Sequence, residues 1–293
     1  MRLLMLHITE EMAGRKVGHL LRGQLKLSYS LVKSLKWREN AILLNGERVN
    51  TDVRVKAGDV LTVNVTDREE TTAIDDSVPL PQVLWEDDDL LIINKSVGIT
   101  VHASALAGEG VTVEKMVARY LGGGAFHPVN RLDRCVSGIM VVAKSGHAHA
   151  RAMALLHTDD FRREYRGICQ GVPSPAAGEI SLPIGRDITS AVKRKIDSEG
   201  QPSLTEYEVL QVCGEAALLR LRPITGRTHQ LRLHMAAMGH PLLGDWLYGM
   251  EHPALPHRVA LHSYELWLTH PITREKLHIT APLPKEMEQL LEK

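Results

Sequence analysis

From residue 82 onward, strand-like runs follow one another with few helices between them, and this succession limits the possible folds more than any other feature of the sequence. The strand-like runs are QVLW, LLIINK, SGIMVVAK, REYRGICQG, GEISLPIG, LTEYEVLQVC and EAALLRLRPI. Two segments have helical character: GHAHARAMALLH, after a candidate N-cap at Ser145, and TGRTHQLRLHMAAMGHP, with a candidate N-cap at Thr228. A sheet interrupted by so few helices favours the α+β class over the doubly wound α/β class. We therefore predict one large domain over residues 82–293, with a mixed, mainly antiparallel sheet and peripheral helices.

The first 66 residues show a different pattern. Two short amphipathic segments, VGHLLRGQL and SYSLVKSLKW, predict two small helices, the second with Ser28 as its N-cap. Asn45 and Gly46 then separate two apolar runs, which is a strong hairpin signal because both residues tolerate positive φ. Basic residues lie on or beside the second helix: Lys26, Lys33, Lys36 and Arg38. We predict a small α/β domain over residues 1–66.

The charge distribution suggests a partner for this small domain. The whole chain has 35 basic and 35 acidic residues, which taken alone argues against a nucleic-acid-binding protein. Residues 15–65, however, contain ten basic and four acidic residues, whereas residues 66–90 contain one basic and nine acidic residues. This asymmetry indicates a nucleic-acid partner for the basic part, although an ordinary solvated basic face is the alternative. The stretch over residues 67–81 lacks apolar periodicity and is predicted to be an acidic linker.

The remaining bulk features indicate a cytoplasmic protein. The N-terminal segment MRLLMLHITEEMAG has acidic residues where a secretory signal would place its cleavage site. No apolar run approaches the roughly 18 residues that a membrane span requires. The three cysteines, Cys135, Cys169 and Cys213, are scattered without a C-x-x-C spacing. We expect free thiols, no structural zinc site and no association with a membrane.

The segment NRLDRCVSGIMVVAK is the first candidate for a functional site. It places Asp133 between Arg131 and Arg134, immediately before a strand-like run. For such a cluster alone, a solvated group of ions is the more common explanation. Arg232, however, falls in the first turn of the second predicted helix, where a cation opposes the helix dipole unless a carboxylate pairs with it. Asp133 is a natural candidate for that carboxylate.

Other polar residues near these segments have weaker signals. Tyr165 lies among arginines in the run REYRGICQG, although a tyrosine in an apolar strand is usually a core residue. His229 and His234 are five residues apart, so they do not share a helical face, and we interpret them as structural or RNA-facing, without a metal. Arg227 is expected to fix backbone or phosphate. Asp245, in GDWLYG, is interpreted as a turn residue.

Three segments, in this order, resemble the signature segments of the RluA-type family of RNA pseudouridine synthases. They are NRLDRCVSGIMVVAK, REYRGICQG and ITGRTHQLRLHMAAMGHPLLGDWLYG. In addition, LLNGERVNTDVRVKAGDVLTV resembles an RNA-binding module found in a small-subunit ribosomal protein. The likeness departs from the family pattern at Asn130, where the family usually has His, at Cys135-Val136 in place of Asp-Thr, and at Ser96 in place of Pro. None of these departures removes a group that the family uses in catalysis.

The resemblance implies an isomerase that converts uridine to pseudouridine in structured RNA without a cofactor or metal. It implies that Asp133 is the catalytic aspartate, that Tyr165 stacks on the target uracil and assists deprotonation, and that Arg232 pairs with Asp133. It also implies that Arg131 enters the space left by the flipped nucleotide. Arg227 and the basic residues of the small domain would then bind RNA. The sequence leaves open whether Asp133 attacks the ribose or abstracts a ribose proton to give a glycal.

The RNA and the biological unit are expectations by likeness. Large-subunit ribosomal RNA is the first expectation and transfer RNA the second, and we expect a monomer. The two alternative functions are an RNA-binding protein without catalysis and a nucleoside glycosidase. An RNA-binding protein without catalysis would gain nothing from an acid such as Asp133 in a buried site, and a nucleoside glycosidase would need a second carboxylate in a credible site motif.

Overall fold

The polypeptide forms two main sheets of different size in a computed structural model, which describes residues 2–66, 74–103 and 110–292. The strands are β1 (Leu3–His7), β2 (Ile42–Leu44), β3 (Glu47–Arg48), β4 (Val60–Asn64), β5 (Gln82–Glu86), β6 (Leu90–Lys95), β7 (His127–Pro128), β8 (Ser137–Ala143), β9 (Phe161–Gln170), β10 (Ala177–Ser181), β11 (Ile184–Arg186), β12 (Arg194–Ile196), β13 (Leu204–Cys213), β14 (Ala216–Pro223), β15 (Leu261–Thr269) and β16 (Lys276–Thr280). The helices are α1 (Val17–Gly23), α2 (Tyr29–Leu35), α3 (Val113–Leu121), α4 (Gly146–Met153), α5 (Gln230–Ala237) and α6 (Lys285–Leu291).

The smaller sheet belongs to the N-terminal part of the chain. Its strands have the order β1-β4-β2-β3, with antiparallel pairing throughout. Helices α1 and α2 complete its apolar core, which includes Leu21 and Leu35. The side chain of Ser28 accepts a hydrogen bond from the backbone N–H of Leu31 at 3.2 Å, so Ser28 caps α2 as predicted.

The larger sheet confirms the predicted α+β class and the mainly antiparallel pairing. Its main path is β10-β13-β14-β9-β15-β8-β6-β5, and only the contact between β15 and β8 on that path is parallel. Strand β15, at the centre of the sheet, was not predicted from the sequence. Its polar residues His262 and Ser263 are buried, and Nδ1 of His262 is hydrogen-bonded to the Ser137 hydroxyl at 2.8 Å. Hydrogen bonding inside the core thus replaces the apolar pattern by which a buried strand is usually recognised.

The start of β8 is fixed by a glycine. Gly138 has φ +113°, and a Cβ atom at this position would lie 2.2 Å from the carbonyl oxygen of Ser263 on β15. A larger residue would therefore clash with backbone and adopt a conformation that L-residues rarely populate. Because β8 begins four residues after Asp133, this close approach also fixes where the preceding loop emerges from the sheet.

Helix α5 begins one residue later than predicted. The N-cap is His229, in the left-handed region at φ 59°, and not Thr228. The reason lies in Gln230, whose side-chain oxygen accepts a hydrogen bond from the Arg227 N–H at 3.0 Å and closes the turn before the helix. Arg232 remains in the first helical turn.

The boundaries of the two predicted domains stay predictions, because residues 67–73 of the predicted linker over residues 67–81 lie outside the described residues. The N-terminal segment contacts the larger sheet through Arg2, which donates a hydrogen bond to Asp89 at 2.6 Å. Within the described parts of the chain, no helix has the length and apolar character needed to cross a membrane.

Candidate active site

A loop, a strand and a helix of the larger sheet domain meet around one cavity of about 590 Å³. The loop before β8 contributes Asp133, the middle of β9 contributes Tyr165, and the first turn of α5 contributes Arg232. These are the three residues for which the sequence predicts catalytic roles, and they come from positions separated by up to 99 residues. The cavity volume falls within the range of small-molecule sites, so a single nucleoside is a suitable occupant.

The guanidinium of Arg232 binds two carboxylates. Its Nη1 donates to Oδ2 of Asp133 at 3.0 Å. Its Nε and Nη2 donate to the two oxygens of Asp245 at 2.8 and 2.7 Å. The pairing with Asp245 is therefore bidentate, which is the strongest geometry that an arginine forms with a carboxylate.

Asp245 is more than the turn residue predicted from the sequence. Its side chain is fully buried, and Oδ1 also accepts hydrogen bonds from the backbone N–H groups of Leu247 and Tyr248 at 3.1 and 3.3 Å. The sequence places an acid within the turn GDWLYG, but burial and the partner of that acid depend on how the turn packs against α5. Asp245 does lie in a turn, as predicted, and its carboxylate also binds Arg232 through two hydrogen bonds.

The electrostatics of this group favour an ionised site. Burial opposes the charge of Arg232, but its hydrogen bonds to Asp245 and the charges of neighbouring anionic groups raise the pKa of the guanidinium above its usual value. One guanidinium thus faces two carboxylates. Asp245 accepts two of the three hydrogen bonds that Arg232 donates to these carboxylates, and Asp133 accepts one.

His229 and Tyr248 form a second polar contact beside Asp133. Nδ1 of His229 lies 2.9 Å from the Tyr248 hydroxyl, and Nε2 lies 3.7 Å from Oδ2 of Asp133. Burial lowers the pKa of His229 although the nearby Asp133 charge opposes the shift, so the imidazole is neutral at pH 7. His234 is fully buried and contacts Thr205 and the Leu182 carbonyl, which makes it structural.

The loop that carries Asp133 is tied to the loop after β6. The N–H of Gly98 donates to the Arg134 carbonyl at 2.7 Å, and Nε of Arg134 donates to the Gly98 carbonyl at 3.0 Å. Lys95 is buried and donates to the carbonyls of Ser96 and Ile99, both at 2.9 Å. Burial lowers the pKa of Lys95 to about 8. The contacts of Arg134 hold the backbone directly after Asp133, and those of Lys95 hold the loop against which it packs.

Asn130, which stands where the family usually has His, has a structural role. It is 5% exposed, accepts a hydrogen bond from the Val141 N–H at 2.8 Å and donates to the Ile139 carbonyl at 3.4 Å. Its side chain therefore supports the backbone of β8. Cys135 is buried as well, and burial raises the pKa of its thiol to about 11, so the thiol stays protonated at neutral pH.

Tyr165 is both a core residue and a wall of the cavity. Its side chain is 6% exposed and packs in the apolar cluster that contains Leu231 and Leu132. On β9 it pairs with Leu221 of β14 on one side and with Ser263 of β15 on the other. A ring held in this way is a rigid surface on which a base can stack.

The predicted RNA-binding residues lie at different places. Arg131 is exposed at the rim of the cavity, and Arg227 also lines it while its Nε donates to the Pro202 carbonyl at 3.2 Å. In the N-terminal part, Lys26, Lys33 and Lys36 are exposed. By contrast, Nη1 of Arg38 donates to the Thr66 carbonyl at 2.5 Å, so this guanidinium is used within the N-terminal part itself.

Together, these groups provide a carboxylate, a guanidinium that orients it and an aromatic wall inside one cavity. Such a site can attack an electrophilic carbon or remove a proton while a planar ring is held against the aromatic wall. A ring that is stacked between neighbouring bases must first leave that stack, because its reacting atoms cannot otherwise reach the carboxylate.

Comparisons with known proteins agree with this chemistry. The family model described as RNA pseudouridylate synthase matches residues 89–237, which include Asp133, Tyr165 and Arg232. An uncharacterized RNA pseudouridine synthase of Bacillus subtilis, YjbO, is 34% identical over 273 residues, with 92% of this chain and 96% of the relative covered. Ribosomal large subunit pseudouridine synthase D of Haemophilus ducreyi is 33% identical over 307 residues, with 97% and 92% covered. The solved structure of human RNA Pseudouridylate Synthase Domain Containing 1 aligns with a TM-score of 0.57 and 28% identity, with 72% of this chain and 86% of that chain covered.

Proposed function

Because the chain belongs to the RNA pseudouridylate synthase family, it is an isomerase, and we propose that it converts specific uridines of large-subunit ribosomal RNA to pseudouridine. Relatives named ribosomal large subunit pseudouridine synthase C or D match it over 90% to 98% of its length, which supports this choice of RNA. The observation that carries the catalytic proposal is the contact of 3.0 Å between Arg232 and Asp133 in a cavity of nucleoside size. We propose that the protein acts as a monomer in the cytoplasm.

In this proposal, Asp133 starts the reaction on the ribose of the flipped nucleotide. The N1–C1′ bond of uridine breaks, a C5–C1′ bond forms, C5 loses a proton and N1 gains one, so nothing is oxidised and no group leaves. Asp133 either attacks C1′ or removes the C2′ proton to give a glycal, and both routes need a charged carboxylate. Arg232 donates a hydrogen bond to that carboxylate and fixes its direction.

The other site residues hold the nucleotide. We propose that Arg131 enters the space left in the RNA helix and that Tyr165 stacks on the uracil. Unstacking a base costs a few kcal/mol, and stacking on an aromatic side chain contributes about 1–3 kcal/mol per base, so the two effects are comparable. Arg227 and the exposed lysines of residues 1–66 contact phosphates, with residues 82–293 as the catalytic domain.

Tyr165→Phe is expected to keep RNA affinity and to slow isomerisation by about 100-fold, the lower end of what a positioned acid or base contributes. The phenyl ring retains the stacking surface but lacks the hydroxyl proposed to assist deprotonation. Single-turnover rates and Kd for the same RNA separate the two effects. Tyr207→Phe is the matched control, because Tyr207 lies in the same apolar cluster and donates to the Pro175 carbonyl away from the cavity. Full rate in the Tyr165→Phe variant would leave Tyr165 only a stacking role.

Replacing Lys26, Lys33 and Lys36 together by glutamine is expected to weaken RNA binding and to reduce the slope of log K against log salt by about 2, since each lost phosphate contact removes about 0.7–0.9. The lysines are exposed, so folding should be unaffected. Lys276 and Lys285, exposed on the C-terminal part, provide the control substitutions. An unchanged slope in the triple variant would reject residues 1–66 as an RNA-binding unit.

The choice of RNA is tested by mapping pseudouridines in a strain that lacks this protein and in its parent. We expect one or a few positions of large-subunit ribosomal RNA to lose their pseudouridine. Loss of pseudouridine from transfer RNA alone would show that transfer RNA, and not ribosomal RNA, is the substrate. An identical pseudouridine map in both strains would contradict the proposal as a whole.

A further inference from the structure

Strand β9 carries three arginines close together, and only two of them are paired with acids. Arg162 lies 3.1 Å from Glu164, and Arg166 lies 3.8 Å from Glu164 and 3.3 Å from Glu265. These side chains share one face of the strand, because alternate residues of a strand point in the same direction. Arg162 also stacks over Trp267 at 3.9 Å, so both paired arginines are part of the outer surface of the sheet.

Arg163 points to the opposite face and has a different environment. It is 9% exposed, and its guanidinium carbon lies 5.6 Å from the centre of the Phe161 ring. Its buried Nε has no hydrogen-bond partner, which is also true of Nε of Arg162 and Nη1 of Arg166, so the three arginines differ in their acidic partners. Among the ion pairs of the described residues, none includes Arg163. A buried cation without an anion is unfavourable, and a bound anion is one explanation for such a group in a native protein.

The position of Arg163 indicates where that ligand would bind. It lines the main cavity and also a smaller adjoining cavity of about 160 Å³. A Cβ atom at Gly226 would lie 3.9 Å from Nη2 of Arg163 and 3.5 Å from Cε1 of His157. The pKa of His157 is lowered by burial and by the positive charges of Arg163 and Arg227. Two arginines thus make this corner of the cavity electropositive.

We propose that Arg163 binds an RNA backbone phosphate adjacent to the target nucleotide. The inference rests on the proposed function, because it uses Tyr165 as the platform for the uracil. Residues two apart on a strand share a face and lie about 6.8 Å apart, so Arg163 is one nucleotide-sized step from Tyr165. Its planar fork can donate two parallel hydrogen bonds to a phosphate, and Arg227 adds a second positive charge. The phosphate supplies the anion that the protein itself does not offer to Arg163.

The first test compares Arg163→Gln with the wild type on a stem-loop RNA that spans a uridine whose modification is lost in the deletion strain. We expect affinity to fall by about 10- to 100-fold, the range for a charged hydrogen bond, and the salt slope to decrease by about 0.7. Arg220→Gln is the matched control: Arg220 is on β14, pairs with Glu208 and is 46% exposed in its side chain. Equal affinity and equal slope for Arg163→Gln and Arg220→Gln would overturn the inference.

The second test replaces single phosphates of that RNA by uncharged methylphosphonates within one nucleotide of the target. We expect one replacement to weaken binding to the wild type and to Arg163→Lys, while Arg163→Gln responds little to the same replacement. Equal sensitivity in the wild type and Arg163→Gln would contradict a direct contact. If Arg163→Gln does not fold, the wild type alone tests the inference. Wild-type affinity that is unchanged by a methylphosphonate at any of these positions would overturn it. Absence of pseudouridine formation by the wild type would instead reject the proposed function.

Discussion

Replacing Asp133 by asparagine is expected to reduce isomerisation by about 10⁴-fold or more, which is the scale on which enzymes lose activity when a reacting group is removed. An amide has nearly the same shape as the carboxylate and can still accept the hydrogen bond from Arg232. It is neither a nucleophile for C1′ nor a base for the C2′ proton, so both open routes fail. Pseudouridine formed in purified RNA, quantified by mass spectrometry, measures the loss.

The same substitution should leave folding and RNA affinity nearly unchanged, because the Asp133 side chain is 28% exposed and lies at the cavity wall. Asp76→Asn is a suitable control, since its side chain is 90% exposed and its ion pair with Arg119 is long, at 3.8 Å. Turnover by Asp133→Asn within tenfold of the wild type would rule out a direct role in the chemistry.

The second large effect is expected at Asp245. Asp245→Asn removes the buried anion that binds Arg232 through two hydrogen bonds and places an amide N–H against a guanidinium N–H. Breaking a buried ion pair by removing one partner costs about 3–5 kcal/mol, so we expect the free energy of unfolding to fall by about that amount. Urea denaturation of both proteins gives the difference directly.

Glu208→Gln supplies the matched comparison. Glu208 also pairs with an arginine, Arg220, but its side chain is 41% exposed, and surface pairs of this kind contribute about 0–1 kcal/mol. If Asp245→Asn lowered the free energy of unfolding as little as Glu208→Gln, the buried pair of Asp245 and Arg232 would not stabilise the fold as proposed. In the folded fraction of Asp245→Asn we also expect a lower kcat, because Asp133 would then compensate the guanidinium charge alone.

The sequence predicts elements well where local chemistry decides them. The cap at Ser28 and strand β8 (Ser137–Ala143) depend on residues that are adjacent in the chain, and both are present. Strand β15 was missed because it buries polar residues such as His262, whose Nδ1 is hydrogen-bonded to Ser137, 125 positions away in the chain. Local pattern does not contain that information.

The same distinction applies to the site. The helix dipole at the start of α5 indicates that Arg232 needs a carboxylate, and Asp133 is indeed one of its partners. The stronger partner, Asp245, is separated from Arg232 by a turn whose packing the sequence does not reveal. Likewise, the run RREYR shows three arginines around one glutamate, but only the sheet shows that Arg163 lies on the cavity face without an acid.

The most direct measurement is a pseudouridine map of ribosomal RNA from the strain that lacks this protein, complemented with either the wild type or Asp133→Asn expressed at equal levels. We expect the wild type to restore the missing pseudouridines of the large-subunit RNA and Asp133→Asn to restore none of them. Restoration by Asp133→Asn would contradict the claim that the carboxylate held by Arg232 carries out the reaction.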